Sequence, residues 1–160
     1  SGMKAKLAAI GGDPMPGAVY VLSPWADLTA SGESVVTRVA FDPMFDGEGL
    51  LEAATTYAGN TPLDHPGVSP LFADPTGYPP TLIQTGMDEI LLSDSTRLAE
   101  HYEAAGVEVR LDLRNGLWHV YPILAGYMPE ATDALVRAAV FIREKTPAPV
   151  PIPAKPTVSA

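Results

Sequence analysis

The sequence predicts an α/β architecture built on a parallel sheet, and three observations predict it. Short apolar runs alternate with longer stretches of helical spacing along most of the 160 residues. The runs at 18–22 and 81–85 are nearly continuous rather than alternating, as in strands covered on both faces. Each run ends in a segment rich in Gly, Pro or Asp, the residues that turn a chain.

In chain order, residues 3–10 read as the end of a helix. Gly11-Gly12 stops it, and Asp13-Pro14-Met15-Pro16 forms a loop. The run 18–22 is the first strand, closed by a turn from Ser23 to Thr29. An irregular stretch reaches Asp46. Residues 47–58 then space Leu50, Leu51, Ala54 and Tyr57 as a helix does. Residues 60–80, dense in Pro, Gly and Asp, read as an ordered loop, and 81–85 as the second strand. Residues 88–105 form an amphipathic helix with Ile90, Leu91, Leu98 and Tyr102 inward, stopped by Gly106. The alternation at 107–113 suits a less buried, edge strand. A last helix covers 129–145, with Leu135, Ala138, Ala139 and Ile142 expected inward. From Thr146 prolines recur every few residues, so 146–160 is read as an extended tail beyond a domain at 1–145.

The net charge of −9 and pI near 4.6 argue against nucleic acid and against anionic membrane surfaces as partners. The absence of cysteine excludes disulfides and thiolate metal sites, and such a chain suits a reducing cytoplasm. No apolar run is long enough to span a bilayer.

The chemistry concentrates in two places. Asp88 follows the strand at 81–85, and His119 follows the strand at 107–113. In an open parallel sheet both lie at the carboxyl rim, where reactive groups gather. An acid followed by a histidine is two-thirds of a hydrolytic triad, in which the histidine takes the nucleophile's proton and the carboxylate holds its tautomer. An Asp opening a helix is also a favoured N-cap, and a His beside Trp118 and Tyr121 also reads as a packed histidine. The joint pattern of strand, acid, helix, strand and histidine favours the catalytic reading. The third member belongs in a G-x-S-x-G turn, and no such pentapeptide occurs in this sequence. Leu117, Tyr121, Leu124 and Met128 surround His119 in sequence and read as an acyl pocket or as core. His65 and His101 read as surface or packing residues, and Asp64-His65 has no metal-ligand spacing.

A set of short motifs follows in one order. They are Ser23-Pro24-Trp25-Ala26-Asp27-Leu28, Ser31-Gly32-Glu33-Ser34, Asp42-Pro43, Ser69-Pro70-Leu71, Gly86-Met87-Asp88-Glu89 and Trp118-His119-Val120. Together they resemble the C-terminal half of the hormone-sensitive-lipase-like bacterial esterases, a group of the α/β-hydrolase superfamily. The resemblance covers residues 3–145. It implies a short-chain carboxylesterase that needs no cofactor or metal, with Asp88 as triad acid and His119 as base. It also implies a partial α/β-hydrolase fold, without the N-terminal half of the sheet, the cap, the Gly-Asp-Ser-Ala-Gly elbow and the His-Gly-Gly-Gly oxyanion segment. Trp25 and Asp27 are read as shaping the site floor or bracing the loops, with plain structural packing the favoured reading for both. The first strand is then central in a complete sheet, and its open edge should pair with a complementary N-terminal segment or with another copy. The family's last edge strand and helix often make a dimer contact. A peptidase of the same fold and a non-catalytic interaction module are the competing readings, and the coding sequence upstream of Met3 separates the latter from an esterase.

Overall fold

A computed structural model describes residues 15–146 of the chain. The helix expected at 3–10 and the tail from 147 lie outside them. The elements are β1 (Val19–Leu22), a single helical turn α1 (Ser34–Thr37), α2 (Gly47–Ala58), β2 (Thr81–Gly86), α3 (Leu92–Ala104), β3 (Val109–Arg114) and α4 (Pro129–Lys145). Two 3-10 turns, Pro70–Phe72 and Tyr121–Leu124, sit in the loops. Among the described residues no helix is long and apolar enough to cross a membrane.

The three strands are parallel and ordered β1-β2-β3, with Val19 opposite Thr81 and Thr81 opposite Val109. β2 is buried at all six positions and β1 is half-buried throughout, so β2 is the centre of the described sheet. Successive side chains on a strand point to opposite faces, and β2 uses both. Ile83 packs against Leu98, Ala99 and Tyr102 of α3. Leu82 packs against Ala138 and Phe141 of α4. The helices therefore cover opposite faces, which explains why 81–85 is apolar without alternation.

Between two threonines, one amide side chain breaks that run. Gln84 is fully buried on the α4 face. Its Oε1 accepts from the Tyr20 hydroxyl at 2.6 Å, and its Nε2 donates to Asp112 Oδ2 and to the Ala134 carbonyl, each at 2.9 Å. A buried amide costs free energy unless its hydrogen bonds are made. Here they tie β1, β2, β3 and α4 together.

The helix at 47–58 forms as expected, capped by Asp46, whose carboxylate accepts from Gly49 N–H at 2.7 Å. Leu50 and Ala54 face inward, whereas Leu51 and Tyr57 are exposed. The helix expected at 88–105 starts four residues later, at Leu92, because 87–91 form a turn held from outside. Within α4 the inward face is also shifted. Ala131, Ala134, Ala138 and Phe141 are buried, and Leu135, Ala139 and Ile142 are exposed. Both sets have helical spacing. The small residues win because alanines let the helix sit close to β2, while Phe141 fills the space over Leu82.

Candidate active site

The turn after β2 is short of room. A Cβ on Gly86 would lie 2.1 Å from the Leu117 carbonyl oxygen and 2.7 Å from that of Trp118. Only glycine lets the loop carrying His119 pass this close to the end of β2. Met87 N–H donates to Arg114 O at 2.9 Å, and Asp88 N–H to Leu117 O at 3.0 Å, so the loop is stitched to the turn.

Of the two adjacent acids in that turn, Glu89 is the one brought to the histidine. Its carboxylate is fully buried, and its Oε1 lies 3.5 Å from His119 Nδ1. Among the described residues neither of these two atoms has a hydrogen-bond partner, so each is the other's available polar neighbour. Catalytic hydrogen bonds are often this long before substrate is bound. Glu89 Oε2 accepts from the Ser23 hydroxyl at 2.7 Å and from Gly86 N–H at 3.1 Å. Asp88 is half-buried, and its side chain makes no ion pair or hydrogen bond among the described residues. The expected pairing of Asp88 with His119 is therefore corrected to Glu89. Asp88 does not cap α3 either, because that helix begins at Leu92.

The turn is held by neighbours that the sequence reading treated as loop. Ile90 N–H donates to Asp42 Oδ2 at 2.8 Å. Ser34 Oγ donates to the Ile90 carbonyl at 2.6 Å and accepts from Ser93 N–H at 2.8 Å. Further out, Asp94 Oδ2 accepts from the N–H groups of Ala26 and Asp27, both at 2.8 Å. Burial pushes the Asp94 carboxyl up to about 6 despite those bonds. Asp27 is also buried, which alone would raise it, but hydrogen bonds from Ser31, Thr29 and Arg97 hold it below the usual carboxylate range. The Arg97 guanidinium is 2.8 Å away. Asp27 thus braces the loop after β1, while Trp25 lines the site.

His119 itself is tucked in. Its ring meets Phe45 edge-on, with centroids 4.8 Å apart. Beside it lies a cavity of about 220 Å³ lined by Trp25, Phe45, Gly49, Leu50, Ala53 and Leu91, with Ser23 and His119 at its polar end. The residue after His119, Val120, has φ +48°, a left-handed conformation that is rare for a β-branched side chain. Ser23 has φ +40°. Such residues cost roughly 1–3 kcal/mol each and concentrate at functional sites.

The acyl-pocket reading of residues near His119 gives way to core. Leu117 and Tyr121 are buried with Ala131 and Ala134, and Leu124 and Met128 pack on that cluster under α4. The cavity beside His119 is instead built by α2 and the loop after β1, segments distant in sequence, so proximity in sequence was the wrong guide. A second cavity of about 290 Å³, between β3 and α4, is lined by neither Glu89 nor His119.

Known proteins resemble this chain. A family model for the alpha/beta hydrolase fold matches residues 3–123. An esterase of Acinetobacter venetianus is 40% identical over 129 residues, 79% of this chain and 42% of that protein. An acetyl-hydrolase of Streptomyces hygroscopicus is 36% identical over 135 residues, 84% of this chain and 45% of its own. Among solved structures, an esterase from the bacterial hormone-sensitive lipase family superposes with a TM-score of 0.83 at 37% identity. That superposition covers 89% of this chain and 48% of that one. The chain spans about half the length of the curated relatives it matches.

Proposed function

This chain belongs to the alpha/beta-hydrolase fold family, and on that premise we propose that it supplies the acid and base of a serine carboxylesterase. The observation that carries the reading is the buried Glu89 carboxylate facing His119 Nδ1, with no competing partner on either atom among the described residues. Glu89 holds the Nδ1–H tautomer, which leaves Nε2 free to act as base. The nucleophile is a serine outside these 160 residues, since they hold no G-x-S-x-G turn.

In the proposed reaction the serine hydroxyl attacks the ester carbonyl as His119 Nε2 takes its proton. The imidazolium, stabilised by Glu89, returns that proton to the departing alcohol. Water then repeats the sequence on the acyl-enzyme: His119 accepts its proton, the acid is released and the serine is regenerated. The oxyanion donors come with the nucleophile, and the two contribute the covalent step and its largest electrostatic stabilisation. The 160 residues alone should therefore hydrolyse esters at background rate. The cavity beside His119, narrow and apolar apart from Ser23 and His119, suits a short acyl chain.

Among the described residues β1 pairs on one edge only, which supports a further strand on the other. We place a complementary segment there, carrying the nucleophile, with self-association of this chain as the outcome when that segment is missing.

The test is a chimera joining the N-terminal half of the Acinetobacter esterase to this chain. Fluorophosphonate labelling and p-nitrophenyl acetate hydrolysis are measured for the chimera and for the chain alone. The expected result is one labelled serine and turnover in the chimera, and neither in the chain alone. Labelling of the isolated chain, or a chimera that is folded yet inert, would sink the proposal.

A further inference from the structure

We infer that Ser23 is a positioning residue: its one hydroxyl ties the carboxylate that follows β2 to the loop that carries the histidine after β3. The inference rests on the reading of Glu89 and His119 as acid and base. A hydroxyl offers one donor and two acceptor sites, and Ser23 uses both kinds. It donates to Glu89 Oε2 at 2.7 Å and accepts from Val120 N–H at 3.0 Å. The chain from N–H through O–H to carboxylate runs in one direction, so each bond polarises the next. Ser23 is 3% exposed, so both hydrogen bonds are made away from bulk solvent.

The consequence for the acid is orientation. The last torsion of a Glu side chain is broad and holds no sharp preference. Ser23 O–H and Gly86 N–H together occupy Oε2, which turns Oε1 toward His119 Nδ1. The consequence for the base is placement, because the Val120 amide is the peptide link directly after His119. Both ends of the Ser23–Val120 hydrogen bond sit in left-handed backbone, at φ +40° and +48°. Glycine would adopt φ +40° without strain, yet the chain keeps a side chain there, and the hydroxyl is what glycine lacks.

The test uses this chain, labelled with ¹⁵N at its three histidines, and follows solvent exchange of the His119 Nδ1 proton at one fixed acidic pH. His119→Gln assigns the signal. In the unaltered chain the proton should be protected, and Glu89→Gln should remove that protection. Ser23→Gly should speed exchange by roughly tenfold, the scale of one hydrogen bond to a charged group, while leaving the thermal midpoint near its original value. Ser23→Ala should show the same exchange with a lower midpoint, since alanine keeps the strain. A merely structural serine would move the midpoint and leave the proton alone. Unchanged exchange in both Ser23 variants overturns the inference while leaving the acid–base pair standing. A proton indifferent to Glu89→Gln overturns the pair, and the inference with it.

Discussion

Replacing Asp94 by Asn should change how stability depends on pH, in a direction set by burial. The carboxyl is fully buried, and Oδ2 accepts two backbone N–H bonds while Oδ1 has no partner among the described residues. Burial raises it from 3.8 to about 6. The folded chain therefore holds this proton more tightly than the unfolded chain. Stability is fully present below the unfolded value and is lost as pH rises through the folded one. A rise of about two pH units, at ~1.4 kcal/mol each, makes the whole loss about 3 kcal/mol, of which about 2.5 kcal/mol falls between pH 4 and pH 7. Asp27, packed beside it, is shifted downward, so its contribution changes below 3.8, outside that window. Asn keeps an oxygen for the two N–H groups and carries no charge. Urea unfolding from pH 4 to pH 8 checks this. The stability difference, native minus Asp94→Asn, should fall by about 2.5 kcal/mol across the window, while titrations elsewhere cancel. A difference that stays level, or that grows with pH, would refute the reasoning.

Three further outcomes follow from the site. In the chimera, Glu89→Gln should lower kcat by roughly 10³–10⁴-fold, as loss of a triad acid does, whereas Asp88→Asn should stay within about threefold; steady-state kinetics decides, and the reverse ranking would restore Asp88. Gly86→Ala should fail to accumulate as folded protein, because its Cβ meets backbone oxygens rather than a movable side chain; circular dichroism and soluble yield check it. Phe45→Ala should extend the cavity beside His119 and shift the preferred p-nitrophenyl ester toward longer acyl chains, with each added methylene worth about 0.8 kcal/mol of binding at most.

Much of the scaffold was legible because periodicity reports burial. The doubly covered strand Thr81–Gly86, the edge position of Val109–Arg114 and the bounds of Pro129–Lys145 all came from spacing and from Gly and Pro punctuation. The inward face of the last helix did not, because two sets of residues one position apart both fit a helical period. Only the proximity of Leu82 decides that the alanines and Phe141 face in. The histidine's position on a loop after a strand was likewise legible, since the carboxyl rim follows from strand order.

The sequence by itself determined that this chain is an α/β unit with an acid and a histidine on one rim of a parallel sheet. The tertiary structure decided which acid. Asp88 and Glu89 are neighbours in a turn, where no period assigns directions to side chains, and helix spacing does not begin until Leu92. The choice comes from groups far away in sequence. The Ser23 hydroxyl, 66 residues earlier, and the Gly86 amide hold the glutamate, and the carbonyls of the His119 loop lie so close to Gly86 that only one path through the turn is open. Strand and helix spacing is a local property of the chain, whereas the aim of a buried carboxylate is set by whichever donors the fold brings to it.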